Sequence, residues 1–117
     1  MINIVTSIFP YRLDTHLKEP LELNLKIKNA DPDIKLVSVD IILDPNLALE
    51  KSGVKKAVSL RIGDLGGGKS ILKKFEIYPF QGIKPGTYNV LVRVNEHYVN
   101  YEQLKSKTEK LIPIKAI

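Results

Sequence analysis

Leu21, Leu23, Leu25 and Ile27 alternate with Glu22, Asn24, Lys26 and Lys28, and this period of two constrains the fold more than any other feature of the chain. Successive side chains of a strand point to opposite faces, so such a segment is a strand with one face in a core and the other in water. The same rule marks strands at Ile2 to Phe9, at Ile34 to Leu43 with Val37, Val39, Ile41 and Leu43 on one face, and at Ala57 to Ile62 with Val58, Leu60 and Ile62 inward. Phe75 and Ile77 face together ahead of Pro79. Tyr88, Val90, Val92 and Val94 make the most β-branched face, and Ile112, Ile114 and Ala116 close the series. Seven strands are predicted.

The turns between them have their own chemistry. Asp31-Pro32-Asp33 and Pro85-Gly86 place fixed or permissive backbone where the chain must reverse. Asp44-Pro45-Asn46 offers an N-cap followed by proline at a first helical position, and Gly53 can end the turn, so one short helix or turn is expected near residues 45–52. Pro113 cannot donate to a ladder, which puts its amide at an edge or a bulge. At 117 residues, 44% hydrophobic and 26% charged, residues 1–117 read as a single domain able to bury a core without staples. There is no cysteine, which removes disulfides, thiolate nucleophiles and Cys-ligated metal centres.

Short strands with turns between them in about a hundred residues argue an all-β fold, a seven-stranded antiparallel sandwich of two sheets. Four stretches in order, LELNLKIKN, IGDLGGGKS, FEIYP and GIKPGTYNVLVRV, carry a resemblance. Leu25, Ile27 and Asn29, then Leu65, Gly68 and Ser70, then Gly86 and Tyr88, sit where the immunoglobulin-like modules of the CARDB kind keep their fold signatures. Those modules are common in archaeal and bacterial surface proteins. The resemblance implies a sandwich and a structural role for its residues. Tyr88 stands where such sandwiches keep a corner tyrosine that bonds backbone at the sandwich end.

The net charge is +5, and fifteen lysines face three arginines. Lysine is a hydrated point charge and lacks the arginine fork, so the excess reads as solubility before nucleic-acid affinity. No basic run exceeds two residues, and Lys18, Lys26, Lys28 and Lys35 read as the wet face of a sheet. No apolar stretch approaches the ~20 residues a membrane helix needs, and the N-terminus has no signal-peptide pattern. Neither nucleic-acid binding nor membrane insertion is expected; a cytoplasmic chain, or a domain excised from a larger one, is.

Gly63 to Ser70 satisfies G-x-x-x-x-G-K-[ST]. As a phosphate site it would use the amides of Gly66, Gly67 and Gly68 with Lys69 and Ser70, set between a strand and the N-terminus of a helix. The strand is present, but Ile71 to Tyr78 reaches Pro79 too soon for a crossover helix, and Phe75 and Ile77 alternate as in a strand. A glycine-rich turn between strands suits the same residues.

Asn95 to Tyr101 reads as a hairpin tip. Tyr98 and Tyr101 there would offer rigid amphipathic area with Glu96 and His97 as a polar rim, although either tyrosine could equally lid the core. His16 and His97 are the only histidines and have no metal-ligand spacing; Asp40 and Asp44 share an outward face in water, and no nucleophile elbow exists. The expected function is therefore non-enzymatic: a protein-interaction or scaffolding module that binds another protein through end loops or an edge strand, with no cofactor. A homodimer through an edge strand suits the fold. The alternative is a nucleotide- or anion-binding protein using residues 63–70.

Overall fold

The computed structural model describes residues 1–16 and 19–117; Lys18, one of the lysines assigned to a wet face, lies outside them. Along the chain run β1 (Ile2–Phe9), β2 (Arg12–Leu13), β3 (Leu21–Asn29), β4 (Lys35–Leu43), β5 (Leu47–Ala48), β6 (Ala57–Leu65), β7 (Ser70–Pro79), β8 (Gly86–His97) and β9 (Leu104–Ala116). They form a four-stranded sheet in the order β1-β3-β7-β5 and a five-stranded sheet in the order β2-β9-β8-β4-β6. All pairings are antiparallel except β2 with β9.

The predicted alternation is what joins the layers. Leu21, Leu23, Leu25 and Ile27 of β3 are fully buried, as are Val37, Val39 and Ile41 of β4 and Val90 and Val92 of β8. Ile77, Ile112, Ile114 and Ala116 complete one core shared by both sheets, with Val58, Ile62, Phe75 and Tyr88 packed against its margin. The Tyr88 hydroxyl donates to the Lys84 carbonyl at 2.6 Å, a corner bond that pins the start of β8.

Nine strands form rather than seven, because two-residue β2 and β5 give no periodicity to read. No helix forms near residues 45–52. Asp44 Oδ1 accepts from the Asn46 amide at 2.8 Å, a side-chain turn, and the chain then extends so that Leu47 and Ala48 pair with Pro79 and Tyr78 of β7. Both residues are fully buried, and that burial outweighs a local helix-start signal. The last strand begins at Leu104 rather than Ile112, because β8 and β9 continue as a long hairpin whose outer part has no buried face on β9.

Lys35 does not belong to a wet face. Its side chain is only 10% exposed, and its ammonium lies 2.7 Å from Glu96 Oε1 and 3.2 Å from Asp31 Oδ2. The β4–β6 ladder slips between Val37 and Ser38, opposite Gly63, whose φ of +90° is a conformation that glycine adopts without strain.

Candidate functional site

Two segments were marked by the sequence, and the structure treats them differently. The glycine-rich segment carries the chain from β6 in one sheet to β7 in the other. Buried Asn29 at the end of β3 organises it: its Nδ2 donates to the carbonyls of Leu65 (2.9 Å) and Asp33 (2.6 Å), and its Oδ1 accepts from the Asp31 amide. The Gly68 amide donates to the Asn29 carbonyl at 2.8 Å, and the Lys69 amide to the Gly66 carbonyl at 3.0 Å. Gly67 sits so close to the Pro32 backbone that a β-carbon would lie 2.2 Å from its carbonyl oxygen. The helix that a phosphate loop requires is replaced by β7, and two of the amides that would face a phosphate are already bonded, Gly68's to the end of β3 and Lys69's within the loop. Lys69 and Ser70 are exposed at its end.

At the other marked segment, Glu96 and His97 belong to β8 and are buried, so they do not form a solvent-facing rim. Glu96 turns toward the sandwich end, where it accepts from Lys35 at 2.7 Å and from the Ser106 hydroxyl at 3.1 Å, with Lys105 Nζ at 3.4 Å. Burial acts to raise its pKa, but the bonds from Lys35 and Ser106, the Lys35 charge and the Lys105 contact together hold it below the ordinary glutamate value.

His97 turns to the outer face of the five-stranded sheet. Its Nε2 lies 2.7 Å from Ser38 Oγ, its ring meets the Tyr101 ring edge-on at 5.2 Å, and its Nδ1 is buried without a hydrogen-bond partner. The Arg61 guanidinium lies over the Tyr101 ring at 4.7 Å. Next along the same face, Asp40 accepts from Ser59 (2.7 Å) and Asn95 (2.9 Å), and Arg93 links it to Glu109. Asp40 is thus half-buried and bonded rather than freely solvated, while Asp44 lies beyond β4 in its own turn.

The true tip of the β8–β9 hairpin is Tyr98 to Gln103. Tyr98 N donates to Gln103 O at 3.0 Å, Gln103 N to Asn100 O at 3.1 Å and Glu102 N to Asn100 Oδ1 at 3.0 Å. Tyr98 is 63% exposed and Val99 84%, with exposed Leu104 beside them. Tyr101 is half-buried and braces the turn from below through His97 and Arg61. The tip therefore displays apolar area on a backbone that is already fixed.

Sequence reasoning missed Arg61, Ser38 and Lys35, which lie far from the tip in sequence and meet it only through the β6-β4-β8 order. Leu36 opposite His97, and Ser38 opposite Asn95, follow from the antiparallel register, which no local pattern reveals. Among the described residues, no three His, Asp or Glu side chains gather as a metal site.

These features define an immunoglobulin-like sandwich with a bonded polar face and an exposed hairpin tip. No family model and no curated protein matches the sequence. Solved structures do: the CARDB domain of the PF1109 protein from Pyrococcus furiosus, in complex with di-metal ions, superposes with a TM-score of 0.60 at 13% identity over 99% of this chain and 89% of that one. The major pilin subunit BcpA of Bacillus cereus gives 0.67 at 14% identity over 100% of this chain and 40% of the pilin. The Pseudomonas fluorescens alkylpurine DNA glycosylase AlkC, bound to DNA containing an abasic site analog, gives 0.53 at 18% identity over 98% of this chain and 30% of the enzyme. The chain thus spans well under half of the glycosylase and pilin chains it matches. At these identities the likeness is one of fold, and it establishes the CARDB-like, immunoglobulin-like architecture.

Proposed function

We propose that this chain is a non-enzymatic protein-interaction module that recognises a partner protein through the β8–β9 tip. One observation carries the reading: Tyr98 and Val99 are held exposed on a turn whose backbone is hydrogen-bonded and whose underside is braced by Tyr101. Apolar side chains fixed in this way lose little conformational entropy when covered, and aromatic anchors near arginines are what protein interfaces concentrate their energy on. Lys105 Nζ lies 5.8 Å from the Tyr98 ring centre and Arg61 stacks on Tyr101, so the rim of the patch is basic. The fold supports the same direction, since immunoglobulin-like sandwiches host recognition on their end loops, although fold alone assigns no partner.

The Ser38–His97 contact does not amount to a catalytic pair. The histidine nitrogen that an orienting carboxylate would hold has no partner, and the Asn95 Nδ2 that lies 3.2 Å from Ser38 Oγ is also bonded to Asp40. The glycine-rich loop, with the amides of Gly68 and Lys69 already bonded to the Asn29 and Gly66 carbonyls, favours the structural role over anion binding.

The test is capture from a lysate of the native host, comparing the wild type with a Tyr98→Ser, Val99→Ser double variant whose fold is checked by circular dichroism. A protein retained by the wild type and lost from the variant supports the tip as the binding surface. Equal retention by both moves recognition elsewhere on the sandwich, and capture of the chain itself makes it a homodimer.

A further inference from the structure

The sandwich is open along one side. β3 pairs with one edge of β7 from Ser70 to Ile77, whereas on the other edge β5 reaches only Tyr78 and Pro79. Among the described residues no other backbone hydrogen bond meets Ser70–Ile77 on that edge. Across the gap stands β6, also an edge strand. Between them lies a cavity of about 340 Å³ lined by Leu49, Lys55, Val58, Lys74, Phe75 and Glu76. Val58 and Ile62 on β6, with Ile71 and Phe75 on β7, are only partly buried, so the core is incompletely covered along this seam.

Lys73 decides what fits. The register sets it opposite Leu25, on the core-facing side of β7, yet it is exposed. Lys74 pairs with Glu22, whereas Lys73 enters no ion pair among the described residues. An inward-pointing charge at an edge strand blocks casual strand pairing, because covering it without a partner costs desolvation. Residues 49–79, which frame the seam, hold seven basic and three acidic side chains, +4 of the chain's +5.

We propose that the free edge of β7, from Ser70 to Ile77, is a second binding site that takes an extended acidic segment of a partner protein as an added strand in line with β5. Alternate side chains of that strand fall on the seam, apolar ones covering Val58 and Phe75 and a carboxylate meeting Lys73. Backbone pairing supplies affinity, and the lysine supplies selection by charge. A second copy of this chain fits poorly, since a two-fold antiparallel pairing of β7 with β7 about its centre sets Lys73 or Lys74 against the same lysine of the other copy, and like charges across a strand pair destabilise it. The inference rests on the reading of the chain as an interaction module, but not on the tip.

The probe is a synthetic peptide of about eight residues, matched to Ser70–Ile77, with valine at its seam-facing positions except for a single glutamate set to meet Lys73, and threonine at the positions between; its counterpart carries lysine in place of that glutamate. Amide signals of isotope-labelled protein are followed during titration to millimolar peptide. The expected result is shifts and slowed amide exchange confined to Ile71–Ile77 and Val58–Ile62 with the glutamate peptide, none with the lysine peptide, and about tenfold weaker glutamate-peptide binding in Lys73→Glu. Tyr98→Ser, Val99→Ser leaves this titration unchanged, so failure of the tip and failure of the seam are read separately. Equal response to both peptides, shifts elsewhere, no response, or amides of Ile71–Ile77 already protected in a concentration-dependent dimer would each overturn the proposal.

Discussion

Asn29 shows how one side chain can fix a crossover between sheets. It ends β3 in a fully buried position, where an amide left without partners would be costly, and it spends that amide on the Leu65 and Asp33 carbonyls and the Asp31 amide. Its own backbone bonds Gly68 and Lys69. The segment whose letters suggest a phosphate loop is thereby tied to the end of β3. Asn29→Ala removes the side-chain bonds and leaves buried carbonyls unpaired, so we expect a loss of about 2–3 kcal/mol in urea unfolding. A loss below about 0.5 kcal/mol would mean that the backbone bonds to Gly68 and Lys69 hold the crossover without the Asn29 side chain.

At the scale of elements, what was legible had a physical basis: a strand with one buried face writes that face into the sequence as alternation. β3, β4 and the inner half of β8 were readable for this reason, whereas the Tyr88 corner was implied by the resemblance to immunoglobulin-like modules. The outer half of β9, from Leu104 to Glu109, is exposed on both faces and held by pairing with β8 alone, so nothing in its composition announces a strand. Of the short helix or turn expected near residues 45–52, the turn formed and the helix did not, because cap residues report local preference, while Leu47 and Ala48 were claimed by the core. Glu96 and His97 looked like rim residues because polar side chains at a strand end usually are; their burial depends on Lys35 and Ser38, about sixty positions away. Glu96 also makes the hairpin sensitive to acid. Its pKa is lowered in the folded chain, so the stability it contributes is complete above the ordinary glutamate value, about 4.3, and is lost as pH falls through the lower folded value. Glu96→Gln should therefore be less stable than the wild type near neutral pH, with the difference shrinking in acid. Urea midpoints at both pH values check this, and a gap that widens in acid contradicts the sign.

For the whole molecule, the decisive fact is that the two sheets have one core between them. The elements are not sequential hairpins that could each stand alone: β1 pairs with β3, β3 with β7, β4 with β8, and β2 with the last residues of β9. Loss of either sheet exposes the apolar face of the other, and neither face is stable in water. Leu25 sits at the centre of this arrangement, fully buried, on β3 between its neighbours β1 and β7. Leu25→Ala should cost about 2–5 kcal/mol through lost burial and the cavity left behind, a large share of the stability of a domain this size. Because the core is shared, that cost should appear as a single displaced transition, with far-ultraviolet dichroism of the sheets and near-ultraviolet signals of the tyrosines moving together. Two separated transitions would mean that one sheet survives the other. The tip on β8–β9 and the seam beside β7 would then stand on independently melting supports, and a partner bound to one would stabilise only its own half. Under a single transition, a ligand at either place stabilises both sheets, so a rise in melting temperature on peptide binding at the seam should slow exchange of the most protected β8 amides as well.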